Sequence, residues 1–147
     1  MPVFRPIASL LLLLAASHAL AFDFRTIGAP TAILYDAPSL KGGRLFIAPQ
    51  GMPVEIVSTY GDWSKVRDAS GDMAWLETRS LSARRNVVVR VASARVRANP
   101  DDNAPLVMTA DKGVLLELVD PQAGAWVRVR HRDGLAGYAK ASDLWGI

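Results

Sequence analysis

Few residues in this chain could do chemistry, and their types favour binding over catalysis. The sequence has no cysteine, which excludes thiol nucleophiles and cysteine metal sites. One histidine, His131, lies beyond residue 21, and it stands in the polar run HRDG, where a solvated turn residue is the expected role. No spacing among the carboxylates of the predicted loops singles out the pair that a glycosidase needs. We therefore expect no enzymatic activity, no cofactor and no bound metal.

Two tryptophans in matching contexts are the strongest candidates for contact with a ligand. The stretch GDWSKVRDASGDMAW around Trp63 is echoed by GAWVRVRHRDGLAGY around Trp126. Alternation in the predicted strands places Val66 and Val129 inward, so both tryptophans point outward. An outward ring can fold over the end of its own domain or form one wall of a shallow binding groove. The sequence leaves both possibilities open.

Arginines accompany the second tryptophan on the same predicted face. Arg128 and Arg130 alternate with the inward valines of their strand and therefore point outward beside Trp126. Guanidinium groups in that position could bind the carboxylates of a ligand. A face that is simply solvated is the alternative interpretation of the same charges.

The N-terminal residues predict export. Arg5 precedes an apolar run at residues 7–16, and the small-x-small triplet ALA follows at residues 19–21. We expect a signal peptide, residues 1–21, whose cleavage leaves a periplasmic or secreted chain of 126 residues, 147 minus 21. Retention as a membrane anchor is the alternative, although the run is shorter than the roughly 18 residues that cross a bilayer.

The mature chain offers no electrostatic reason to bind nucleic acid. Removing Arg5 leaves 16 bases against 14 acids, a formal charge of +2. After cleavage we also expect no membrane association. Because cysteine is absent, the exported domains must rely on packed cores rather than on disulfides.

The elements that must position the tryptophans and arginines are short strands, and the sequence contains them twice. Residues around the two tryptophans match at an offset of 63, whereas upstream residues match at 62. The second copy therefore gains one residue in the stretch that corresponds to the one between Val57 and Trp63, and we predict this stretch to be a loop. Gly71 and Gly134 end predicted hairpin turns, where a positive φ suits glycine.

This duplication predicts the fold class. Alternating β-rich runs separated by turn residues fill both copies, and no window of helical length carries an apolar stripe. We predict an all-β chain of two tandem small β-barrels, residues 22–82 and 83–147.

The order of the motifs resembles the bacterial SH3-like (SH3b) domain family in both copies. Each copy has a Tyr or Arg three residues before a proline, a glycine before a β-run, Gly-x-Trp-x-base-Val, and Gly-x-x-small-aromatic. The second copy fits best, with DGLAGY at residues 133–138, whereas the first has Ala74 where glycine is usual. The resemblance implies SH3-like barrels and a binding role, because related domains bind peptidoglycan or its peptides.

The first copy is also similar to eukaryotic SH3 domains, through AILYD at residues 32–36. Of the positions that line their peptide groove, Tyr35 and Trp63 match, whereas Glu77 stands where the groove proline belongs. Docking a polyproline helix needs several aromatic ridges, so we expect no ordinary Pro-rich recognition.

The second copy retains less of that groove, since Trp126 alone matches. Groove positions of both copies and the two outward arginines together form our candidate set for ligand binding. Its members are Tyr35, Trp63, Glu77, Arg97, Trp126, Arg128, Arg130 and Lys140.

Three classes of function follow. A non-enzymatic exported module that binds peptidoglycan or its peptides in the cell envelope agrees best with the resemblance. A protein–protein interaction scaffold for another envelope protein is the alternative. An enzyme is the least favoured, because SH3b domains usually accompany a hydrolase that does the chemistry, and 126 residues leave no room for one.

Overall fold

The computed structural model describes residues 22–121 and 124–147. The chain folds as two antiparallel seven-stranded sheets, one from each sequence copy. The prediction of an all-β chain with two tandem SH3-like domains is therefore confirmed. The predicted signal peptide lies outside the described residues. Within the described residues, no helix has the length and apolar character needed to cross a membrane.

The first sheet has the strand order β3-β2-β6-β5-β4-β1-β7. A one-turn 3-10 helix, Thr78–Ser80, joins its last two strands. The strands are β1 Phe24–Ile27, β2 Thr31–Tyr35, β3 Arg44–Pro49, β4 Pro53–Tyr60, β5 Trp63–Arg67, β6 Met73–Glu77 and β7 Leu81–Ser82.

The second sheet repeats this topology as β10-β9-β13-β12-β11-β8-β14. A second one-turn 3-10 helix, Ala141–Asp143, again precedes the last strand. The strands are β8 Asn86–Val89, β9 Ser93–Arg97, β10 Leu106–Asp111, β11 Leu115–Leu118, β12 Trp126–Arg130, β13 Ala136–Lys140 and β14 Leu144–Trp145.

Neither sheet closes completely into a barrel. The outermost strands β3 and β7 of the first sheet, and β10 and β14 of the second, each pair on one side within the described residues. Each domain is thus an open antiparallel sheet wrapped around its own apolar core. The expected small barrels differ from the structure in this detail alone.

Strand alternation separates core from surface as the sequence predicts. Val66 and Val129 are each 1% exposed, and Val127 is 2% exposed. On the opposite face of β5 and β12, Trp63 and Trp126 are half-buried. The hairpin glycines that follow these strands both have positive φ, 92° at Gly71 and 96° at Gly134.

The first copy continues as a strand at residues 58–60, where the sequence predicts a loop, so that prediction is wrong. The rise in offset from 62 to 63 places the added residue in the second copy, between Val119 and Trp126. Strand β4 continues to Tyr60, and its register against β5 shifts between Ile56 and Ser58. Val57 is the residue that the shift leaves unpaired, and it is 41% exposed. A β-bulge accommodates one residue without disturbing the rest of the ladder.

The two domains contact each other through their first and last strands. The backbone N–H of Asn86 donates to Thr26 Oγ1 at 3.1 Å, and its side-chain amide donates to the Gly51 carbonyl at 2.9 Å. The rings of Phe24 and Trp145 meet edge-on, with 5.2 Å between centroids. We call this contact region, together with the connection at residues 83–85, the seam.

Candidate functional site

Trp63 begins β5 and borders a shallow cleft on the first domain. Its ring meets that of Tyr35 edge-on, with 5.4 Å between centroids and an interplanar angle of 83°. Tyr35 ends β2 and is 5% exposed, whereas Trp63 is half-buried. The buried phenol ring supports the indole from behind, so the outer part of the indole remains available to a ligand.

This cleft, which we call the first groove, lies between a loop and a helical turn. The loop between β2 and β3 forms one side, where Leu40 is 65% exposed. The end of β6 and the 3-10 helix form the other side. The groove has a volume of ≈ 960 Å³ and is lined by Pro38, Ser39, Leu40, Lys41, Asp62, Trp63, Glu77, Thr78 and Arg79.

Hydrogen bonds fix both sides of the first groove. The Asp36 carboxylate accepts the Gly43 N–H at 2.7 Å and so closes the base of the loop. The Thr78 N–H donates to the Asp62 carbonyl at 2.8 Å, and the Ser64 and Thr78 hydroxyls are 2.7 Å apart. Because Ser64 is fully buried, this hydroxyl pair anchors the 3-10 helix to β5.

The structure brings Glu77 beside Trp63, since the two residues are partners in the β5–β6 ladder. The Glu77 carboxylate forms an ion pair with Arg79, whose side chain is 82% exposed. The groove therefore has an aromatic wall at Trp63, a carboxylate at Glu77, and the long cationic side chains of Lys41 and Arg79 at its rim. Trp63 therefore lies beside both Tyr35 and Glu77.

Trp126 occupies the corresponding place in the second domain, but its neighbours differ. Lys140 is its partner in the β12–β13 ladder, and the Lys140 Nζ lies 5.7 Å from the centroid of the indole. The same ammonium is 2.9 Å from Asp102 Oδ1, in the loop between β9 and β10. The Arg97 guanidinium donates to the Ala104 carbonyl of that loop at 2.9 Å.

The electrostatics of this second cluster are dominated by its own ion pair. The hydrogen bond from Lys140 lowers the pKa of Asp102, burial opposes that change, and the positive charges of Lys140 and Arg97 assist it. Lys140 thus lies beside Trp126, and Lys140 and Arg97 both act on Asp102. A carboxylate of the chain itself already faces the ammonium beside the ring.

The two arginines of β12 do not join this cluster equally. Arg128 is exposed on the outer face of the strand. Arg130 lies four residues from Trp126, roughly 13 Å along the strand, and forms an ion pair with Glu117 at 3.0 Å. The first domain has the same pair, Arg67 with Glu55 at 3.2 Å.

His131 lies in the turn after β12, where its Nδ1 is 3.0 Å from Asp133 Oδ2. The pKa of Asp133 is lowered, chiefly by the hydrogen bond from the Leu135 N–H and further by His131. Across residues 22–121 and 124–147, no three His, Cys, Asp or Glu side chains are grouped so that they could hold a metal ion.

Sequence reasoning missed two residues of these clusters. Leu40 borders the first groove. The sequence feature that could have identified it is an apolar residue in a loop, two positions after Pro38. Asp102 reaches Lys140 across the sheet, a contact that depends on the path of the loop. Strand alternation carries no information about such a path.

Comparisons with known proteins identify both copies. The model of the family described as "Bacterial SH3 domain" matches residues 28–83 and again residues 86–146. A search of curated proteins finds no match.

Solved structures similar to this chain include NlpC2 and NlpC1 from Trichomonas vaginalis, with TM-scores of 0.39 each and identities of 16% and 18%. The aligned parts cover 85% and 91% of this chain and 48% and 49% of those proteins. An NlpC/P60 family protein from Bacillus cereus ATCC 10987 has a TM-score of 0.38 and 16% identity, with coverage of 84% and 56%. The chain therefore spans about half the length of these proteins.

Proposed function

Because the chain belongs to the bacterial SH3 domain family, as two tandem copies, we propose that it is a non-enzymatic binding module for peptidoglycan or its peptides. The first groove is the proposed site. Trp63 offers the contact surface, Tyr35 positions its ring, and Glu77 supplies a carboxylate beside it. The family match, found twice, is the observation that carries this proposal.

The chemistry of the first groove suits a short polar peptide. The half-buried indole of Trp63 and the exposed side chain of Leu40 provide apolar contact area, while Asp62, Glu77 and Lys41 offer charges of both signs. A peptide that carries both amino and carboxyl groups could pair with these charges while its backbone lies against the indole. The hydrogen-bonded walls mean that little ordering is required when the ligand binds.

Co-sedimentation with isolated peptidoglycan tests the proposal. We expect the protein without residues 1–21 to pellet with peptidoglycan, and Trp63→Ala to weaken the apparent affinity about tenfold, as expected when an anchoring aromatic is truncated. The matched control is Leu135→Ala, which removes an exposed apolar side chain from the second domain outside the groove. Equal sedimentation of Trp63→Ala and Leu135→Ala would exclude the first groove as the site.

A protein–protein scaffold remains the second candidate, and an exposed edge strand favours it. On β3, Leu45 and Ile47 are 51% and 64% exposed, and Ile47 lies opposite Ile33 on the same outer face. Exposed apolar residues on an edge strand suit contact with another protein. In the second domain the positions of this pair hold Arg95 and Thr109. Failure of the wild-type protein to sediment with peptidoglycan would favour this candidate.

We further propose export, with residues 1–21 as the signal peptide and the domains at 22–82 and 83–147. The apolar run and the ALA triplet support cleavage after Ala21. The end of β7 at Ser82 and the start of β8 at Asn86 support the domain boundary. The N-terminal sequence of protein recovered from the periplasm or medium would test the cleavage site directly.

A further inference from the structure

A second cleft lies at the seam, away from the first groove and from Trp126. Gln50 and Gly51 of the first domain form one side, and the turn after β12 forms the opposite side. Arg84, from the connection between the domains, lies at its border. Its volume is ≈ 670 Å³. We call it the seam cleft.

The charged side chains of the seam cleft are mainly cationic. Three arginines, Arg84, Arg130 and Arg132, line the cleft together with one carboxylate, Glu117. The Glu117 carboxylate forms an ion pair with Arg130 at 3.0 Å. Arg84 and Arg132 are exposed, and within residues 22–121 and 124–147 neither forms an ion pair. Two guanidinium groups therefore border the same cleft without an ion pair of their own among the described residues, although the charge of Arg132 also helps to lower the pKa of Asp133 in the same turn.

This cationic character is specific to the turn of the second domain. In the first domain the corresponding turn is acidic, and its Asp68 carboxylate is hydrogen-bonded within the turn. This carboxylate accepts hydrogen bonds from the Ser70 N–H and hydroxyl at 3.0 and 2.6 Å, and from the Asp72 N–H at 3.0 Å. The second domain places Arg132 in that turn instead.

Contacts across the seam hold the two sides of the cleft in place. The side-chain amide of Asn86, which borders the cleft, donates to Gly51 on the opposite domain at 2.9 Å. Arg85 lies 5.8 Å from the Phe24 ring centroid and donates to the Gly146 carbonyl at 2.8 Å. Because these contacts are formed without a ligand, the two domains are already positioned to bind one.

The floor of the cleft adds an apolar component. Val114 and Leu115 are half-buried and line it together with the buried Leu116. A small inorganic anion would use the guanidinium groups and leave this floor uncovered. A peptide with acidic and apolar side chains would use both, and planar guanidinium groups match carboxylates in a bidentate geometry.

We infer that the seam cleft binds a carboxylate-bearing peptide segment, with Arg84 and Arg132 pairing to its carboxylates and an apolar side chain resting on Leu115. This site is separate from the first groove, so the inference does not depend on the proposed binding of peptidoglycan. Both arginines are exposed, and solvent screens such pairs, so the expected affinity is modest.

The test uses the mature two-domain protein and the acetylated tripeptide Leu-Glu-Glu as probe. Amide chemical shifts in NMR titration should move at Gly51 and Gly134, and a second probe with glutamines in place of glutamates should bind at least tenfold more weakly. The double variant Arg84→Gln/Arg132→Gln should lose at least tenfold in affinity for the acidic probe. Arg132→Lys, which keeps the charge but not the planar fork, should give a smaller loss.

The matched control removes the same charge elsewhere on the second domain. Arg90→Gln/Arg95→Gln changes two exposed arginines that do not line the cleft, and its affinity should equal that of the wild type. An intact amide spectrum verifies that each variant is folded. Equal binding of both probes, an equal loss in the control variant, or displacement of the probe by equimolar inorganic phosphate would each overturn the inference.

Discussion

The two tryptophans occupy the same strand position in the two domains, yet their surroundings differ. Trp63 rests on the buried ring of Tyr35 and borders an open groove. The ring of Trp126 contacts the ammonium of Lys140, which also forms an ion pair with Asp102. The backbone motif is the same in both copies, and the neighbouring side chains decide whether the ring borders an open groove or an ion pair of the chain itself.

Two substitutions between the copies account for this difference. Arg97 occupies the position of Tyr35, so no phenol ring supports Trp126, and the guanidinium instead holds the β9–β10 loop through Ala104. Lys140 occupies the position of Glu77, which reverses the charge beside the ring. A duplicated domain can thus keep its fold while the surroundings of its surface tryptophan change, because the core and the tryptophan lie on opposite faces of the same strands.

The largest expected effect tests the close packing that is specific to the second domain. A Cβ at Gly137 would lie 2.5 Å from the Arg97 carbonyl oxygen and 2.9 Å from Val96 Cγ1. Gly137→Ala must therefore displace β9 from β13, and we expect it to lower the free energy of unfolding by about 3 kcal/mol. Chemical denaturation with fluorescence detection measures the change.

The matched substitution in the first domain runs in the opposite direction. Ala74 occupies the position of Gly137 and is 2% exposed, so the first sheet has room for a methyl group there. We expect Ala74→Gly to cost about 1 kcal/mol, mainly through backbone entropy. Equal, small effects of the two substitutions would show that β9 can shift freely and that the domains pack alike.

The second prediction separates a tryptophan that binds from one that only covers the core. We expect Trp63→Ala and Trp126→Ala each to cost about 1 kcal/mol of stability, because each loses one aromatic or cation–ring contact on the surface. Val66→Ala and Val129→Ala remove fully buried methyl groups and should cost about 2 kcal/mol each. Thermal unfolding of the four variants gives the comparison.

The two readouts together decide between the roles. If the melting temperature falls as far for Trp63→Ala as for Val66→Ala while binding to peptidoglycan is unchanged, Trp63 serves the core. If stability changes little and binding falls, Trp63 belongs to the groove. Trp126→Ala should leave peptidoglycan binding within about threefold of the wild type, because the Asp102–Lys140 pair already occupies its surroundings.

The sequence was sufficient to predict the strands but not what lies between them. Alternation around Val66 and Val129 identified the core face, because the period of a strand is local and fixed. The loop predicted after Val57 is instead the continuation of β4 to Tyr60, with a bulge at Val57, because a change in length between the copies does not show where a strand ends. Loop paths determine the pairing of Asp102 with Lys140, and no local pattern encodes them.

The seam was equally hidden from sequence reasoning. The two hydrogen bonds of Asn86 across the seam depend on how the domains are placed. Arg84 stands beside Arg85 between the two copies, a pattern typical of a solvated connection. Arg84 and Arg132 line the same cleft although they are 48 positions apart in the sequence, so only the tertiary structure places them together.

The smallest expected effect concerns the ion pair that distinguishes the second domain. Hydrogen bonding from Lys140 lowers the pKa of Asp102 below its ordinary value of 3.8. A lowered folded-state pKa means that the pair contributes fully above pH 3.8 and is lost as the pH falls through the folded-state value. Lys140→Met removes the donor, so the pKa of Asp102 should rise toward 3.8, as measured by carbon-13 NMR of its carboxyl group.

Lys112→Met is the matched control for this titration, because Lys112 is an exposed lysine of the same domain that forms no ion pair within the described residues. It should leave the pKa of Asp102 unchanged. The stability of both variants should remain close to that of the wild type, since the Asp102 side chain is 68% exposed and solvent screens its charge. An ordinary pKa for Asp102 in the wild-type protein would mean that the pair does not persist in solution. The ring of Trp126 would then be as accessible as that of Trp63, and the contrast between the two domains would rest on Tyr35 alone.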